Sequence, residues 1–65
     1  MDAQEFEAMF VNEYLPGIVS RYEADGKRDG PARREAWNDL IDSMVKDNVL
    51  PLHAMDWSLP DHLDN

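Results

Sequence analysis

Phe6, Phe10, Tyr14, Ile18 and Tyr22 recur every fourth residue, and Pro16-Gly17 falls in the middle of that row. Val11, Leu15 and Val19 form a second row beside the first. Apolar residues at this spacing lie on one face of an α-helix, whereas a strand would need alternation. A proline inside a helix removes one backbone hydrogen bond and crowds the preceding turn. The apolar rows keep their phase through Pro16, so the pattern predicts one kinked helix over residues 3 to 23 rather than two helices. Asp2 and Glu5 stand at capping-box spacing at its start.

A polar loop is expected over residues 23 to 30, with Gly26 as a helix-stop or turn residue. Gly30-Pro31 opens a second helix, with Pro31 suited to the first helical position. Trp37, Leu40, Ile41, Met44 and Val45 make a compact stripe, opposite Glu35, Asp39, Asp42 and Lys46. Asn48 can adopt the left-handed conformation that closes a helix, with Val49 folding back toward Met44 as in a Schellman cap. Pro51 starts a short third helix over residues 51 to 56, ending at Trp57. The segment SLPDHLDN reads as a loose tail, broken by Pro60 and rich in polar residues. The expected fold is all-α: an antiparallel helical hairpin, its first helix kinked near Pro16, plus a short C-terminal helix. Residues 1–57 form a single helical domain and residues 58–65 a flexible tail.

A chain of 65 residues buries only a small core. Folds of this size lean on disulfides, a metal, self-association or very good helix packing. There is no cysteine, which excludes disulfides and thiolate zinc sites and fits a reducing cytoplasm. No apolar run is long enough to span a bilayer, and the acidic N-terminus does not resemble a secretory signal, so no membrane role is expected. The apolar positions of the first helix spread wider than the stripe of a typical surface helix. That surplus predicts contact with another chain, a homodimer among the options.

The formal net charge is −8, with fourteen carboxylates against six basic groups. Direct nucleic-acid binding, which depends on Lys and Arg at phosphates, is therefore not expected. The acid serves either as a solubilising surface or as a face for a basic partner. Yet Lys27, Arg28, Arg33 and Arg34 cluster within GKRDGPARREAW, where a helix begins and its dipole makes positive charge unfavourable. The arginines flank the apolar stripe. Arg33 precedes Trp37 by four residues and can lie over its indole. Alternatively, both lean across the seam to carboxylates of the first helix or tail. In the functional version, Lys27, Arg28, Arg33 and Arg34 form a positive knob that grips a partner, Lys27 and Arg28 being the better contacts.

The sequence offers no enzyme motif: no phosphate-binding glycine loop and no metalloprotease helix. His53 and Asp56 share a helical face, but the further ligands a metal site requires are not found, and no cofactor is expected. Glu5 and Glu7 do not share a face. Trp37 reads as core, whereas Trp57 is either core or a contact residue.

The stretch REAWNDLIDSMVKDNVLPLHAMDW, residues 34 to 57, resembles small open reading frames of tailed bacteriophages and prophages. Those share an arginine-glutamate-alanine-tryptophan-asparagine segment opening a helix, a lysine-aspartate turn, and a tryptophan near the C-terminus. The resemblance covers about a third of the chain. It implies a mobile-element origin, a host-cytoplasmic setting, and an accessory role in binding a host protein and blocking or redirecting it.

The first expectation is thus a protein-binding accessory factor. Phe6, Phe10, Tyr14, Trp57 and the basic cluster would contact a host protein or complex. The alternative is a DNA-mimic inhibitor of a restriction or CRISPR effector, which requires Glu5, Glu13, Asp39 and Asp42 to line up on one exposed surface. A self-associating structural helical module is the third.

Overall fold

The computed structural model describes residues 1–64, and the protein is all-α, with no strand among them. Helix α1 (Ala3–Met9) opens on a complete capping box. Glu5 N–H donates to Asp2 Oδ1 at 2.8 Å, and Asp2 N–H donates to Glu5 Oε1 at 3.2 Å. The chain then passes without interruption through a π-helical segment (Phe10–Tyr14) into α2 (Leu15–Tyr22).

The π segment is how the helix accommodates Pro16. Leu15 N–H donates to Phe10 O, five residues back, which widens the turn just before the proline ring. The extra residue also shifts the phase of everything after it. Phe6 and Phe10 are fully buried, but the inward position then falls near Leu15 rather than Tyr14. Ile18 is buried, while Tyr14, Val19 and Tyr22 are 43, 39 and 53 % exposed, and Glu23 turns inward instead. The expected uniform four-residue row therefore holds at Phe6, Phe10 and Ile18 and fails at Tyr14 and Tyr22.

Helix α3 (Gly30–Lys46) starts at Asp29, whose side chain accepts from Ala32 N–H at 3.0 Å. Gly30 and Pro31 supply its first two residues, where a missing N–H costs nothing. It ends in a Schellman motif: Asn48 has φ 62°, Val49 N–H donates to Met44 O at 2.9 Å, and Asn48 N–H to Val45 O at 3.1 Å. A 3₁₀ turn (Leu52–Asp56) and a one-turn helix α4 (Asp61–Asp64) complete the chain.

Trp37 is the hub of the core. Its ring meets Phe6 at 4.7 Å and Phe10 at 5.2 Å between centroids, both edge-to-face. Such pairs add about 0.5–1.5 kcal/mol each beyond the burial of their surface. The indole N–H donates to Trp57 O at 3.0 Å, tying the C-terminal segment over the core. Ile18, Ile41, Leu50, Ala54, Leu59 and Leu63 fill the remainder.

Two of these core residues correct the expected loose tail. Leu59 and Leu63 are buried, so the folded domain continues beyond Trp57 through α4. Pro60 does not block that turn but starts it, since Leu63 and Asp64 N–H both donate to Pro60 O. Asn65, the end of the expected tail, lies outside the described residues.

Candidate binding surface

The basic cluster is not a free knob. Arg33 is 5 % exposed, and its guanidinium reaches across to the end of the first helical run rather than lying over Trp37. Its Nε and Nη2 donate to the two oxygens of Glu23 at 2.6 and 2.8 Å, and Nη1 donates to Leu63 O at 2.9 Å. Glu23 Oε2 also accepts from Asp29 N–H at 3.1 Å. The Arg33 hydrogen bonds, helped by the Asp29 N–H and the nearby cations, hold the Glu23 carboxyl below its ordinary value against the opposing effect of burial.

Arg34 pairs with the Asp64 carboxylate. Arg28, expected to be free in the loop, donates from Nη1 to His62 O at 2.9 Å. Three arginines thus hold three successive residues of α4. Asp64 also answers the misplaced charge at the α3 start. It approaches Gly30 so closely that an added Cβ would lie 2.9 Å from Asp64 O and 3.1 Å from Oδ1. A carboxylate there offsets the positive end of the helix and the arginine beside it. Only Lys27 of the four has a side chain with neither a hydrogen bond nor an ion pair among the described residues. Its backbone N–H bonds Asp25 in the turn.

Phe6 and Phe10 are likewise removed from the candidate contacts, because both are fully buried. Tyr14 does face solvent, and Trp57 is half-buried. Val49, Leu52 and Met55 are exposed beyond the end of α3, which sequence reasoning missed because it looked to the first helix for surplus apolar surface.

Among the four carboxylates of the acidic-face alternative, Glu5 closes the α1 capping box and Asp42 pairs with Lys46 at 2.9 Å. The Asp42 hydrogen bond raises the Lys46 pKa. Glu13 and Asp39 are exposed without an ion pair among the described residues. Asp39 and Glu35, one turn apart on α3, line a shallow groove of about 190 Å³ with Tyr22. With Asp42 they make an acidic stripe along α3, while Glu5 and Glu13 sit on the first helical run. A second, larger groove of about 490 Å³ lies between α1 and the segment after Trp57.

His53 is exposed, its ring 6.1 Å from that of Trp57. No group of three or more metal-ligating side chains is present among the described residues, and no helix there is long and apolar enough to cross a membrane. Comparison with family models, curated proteins and solved structures finds no match.

Proposed function

We propose that this chain is a small binding module that engages a basic surface on a larger protein complex, as an accessory factor of the mobile-element kind implied by the resemblance of residues 34 to 57. In this reading it acts in the host cytoplasm by occupying that surface. The observation that carries it is that most of the cations are already engaged within the chain, Arg33 at a buried site and the others at the surface. Arg33, Arg34 and Lys46 pair with carboxylates and Arg28 with a carbonyl. The charge left for an encounter is overwhelmingly negative, with Glu35 and Asp39 forming part of a stripe on one element. Such a surface steers association with a cationic partner and rejects acidic ones.

Nucleic-acid mimicry is a narrower version of the same reading, carried by the α3 row of Glu35, Asp39 and Asp42 alone, since Glu5 and Glu13 sit on the first helical run and do not line up with it. Competition separates the two. A mimic is displaced from its partner by duplex DNA, whereas an accessory factor on another basic surface is not.

The test is capture of partners from host lysate by the wild-type chain and by a Glu35→Gln/Asp39→Asn variant, each checked for helical circular dichroism. A specific partner lost in the variant and at high salt supports the reading. A partner retained through both changes removes it, and recovery of only a second copy of the chain leaves the self-associating module in its place.

A further inference from the structure

The groove between α1 and the C-terminal segment has a chemistry of its own. Glu7 and Gln4 line one wall, Trp57 and Pro60 the other, and Trp37 lies at the floor. Trp37 has its indole N–H engaged by the Trp57 carbonyl. The Trp57 indole N–H donates to no protein group among the described residues. Trp57 packs beside Phe6 at 6.0 Å and His53 at 6.1 Å between ring centroids, and stays half-buried.

Glu7 is the one acidic or basic side chain lining this groove. Its carboxylate has no Lys or Arg partner among the described residues; the imidazole Nε2 of His62, itself 67 % exposed, lies 3.7 Å away. Asp56 and Asp61 flank the aromatic wall in sequence, and Asp2 and Glu5 flank Ala3 and Gln4. An indole face attracts cations through its quadrupole, and a carboxylate adds a directed acceptor. Ala3, Trp57 and Pro60 offer apolar contact for an aliphatic stem. An anion has no cation to meet in this groove. A bare metal ion would find one carboxylate where it needs several ligands.

We infer that this groove seats a cationic side chain, arginine or lysine, projecting from the partner protein, with Glu7 taking the charge and Trp57 the stem. The inference rests on the reading of the chain as a module for a basic partner and names where that partner anchors. The exposed His62 side chain, 3.7 Å from Glu7, moves aside as the partner's cation arrives.

The test uses the full chain, labelled with ¹⁵N, and an acetylated, amidated tetra-arginine peptide. Saturable shifts are expected at the Trp57 indole N–H and at the Gln4, Glu7 and Ser58 amides. Glu7→Gln weakens the peptide about fivefold, the upper end for one exposed ion pair. Trp57→Leu, which keeps apolar bulk but removes the indole, weakens it about threefold. Glu7 is only partly buried and has no Lys or Arg partner among the described residues, so its variant remains informative even if Trp57→Leu unfolds the chain. Saturable shifts confined to Glu35 and Asp39 overturn the groove and leave the acidic-module reading standing. Affinity unchanged by Glu7→Gln also overturns the groove. Absence of saturable binding anywhere removes both.

Discussion

The Arg33 guanidinium grips the Glu23 carboxylate through two parallel hydrogen bonds, joining the residue that caps the first helical run to the first turn of α3. The same guanidinium carries Leu63 O on its third nitrogen. Three parts of the chain therefore meet at one side chain. A lysine cannot replace it, since an ammonium lacks the planar fork that holds carboxylate and carbonyl together. Arg33→Lys is expected to lower the urea midpoint clearly, and Arg33→Ala further, because it strands a carboxylate at a buried site. Arg34→Ala, at a half-exposed pair, lowers it far less. Equilibrium unfolding of the three variants checks the order.

Acid unfolding tests the Glu23 carboxyl. Its pKa is held below 4.5 in the folded chain, so between the two values the unfolded chain binds more protons. That contribution to stability is fully present above pH 4.5 and is lost as the pH falls through the folded value. Glu23→Gln is expected to flatten the stability profile in this window while lowering stability at neutral pH. An unchanged acid transition in Glu23→Gln would show that another carboxylate controls it.

The three glycines give opposite signs. Nothing lies within 4 Å of a Cβ added at Gly17 in α2, so Gly17→Ala is expected to stabilise by about 0.5–1 kcal/mol. Gly26 has φ +85°, and an alanine there costs about 1 kcal/mol in backbone strain. Gly30→Ala pushes on Asp64 and is expected to loosen α4, visible as faster amide exchange at Leu63 and Asp64. Thermal melts rank the first two.

Phe6→Ala removes a ring packed against both tryptophans. The expected loss is about 3–5 kcal/mol. A domain of this length has about 3–10 kcal/mol in total, so a large share of the variant should be unfolded at 25 °C. Retained near-ultraviolet dichroism would contradict this.

Much of the all-α character was legible because it rests on local patterns. Asp2 and Glu5 spell a capping box, Asn48 and Val49 a Schellman end, and the α3 stripe buries Trp37 and Ile41. The C-terminal segment was not legible. Leu59 and Leu63 are two apolar residues separated by Pro60 and polar neighbours, too few to show a period. Their placement depends on arginines that bond backbone carbonyls, which leave no pattern at the acceptor. The arginine-to-carboxylate alternative did name the right kind of compensation, with Glu23 and Asp64 as the acceptors. The exposure of Tyr14 was hidden for a different reason. Apolar spacing continued across Pro16, but a spacing records sequence separation and not angular position, and the π segment separates the two.

That segment makes the first helical run a ruler with one division too many. Each α-helical residue turns the chain by about 100°, so the surplus residue rotates everything from Leu15 onward relative to Ala3–Met9. A substitution scan along the run would then show two tolerance rhythms, offset by one position at Tyr14. Deleting one residue together with a Pro16→Ala exchange would merge them, swinging Tyr22 toward the core and Glu23 away from Arg33.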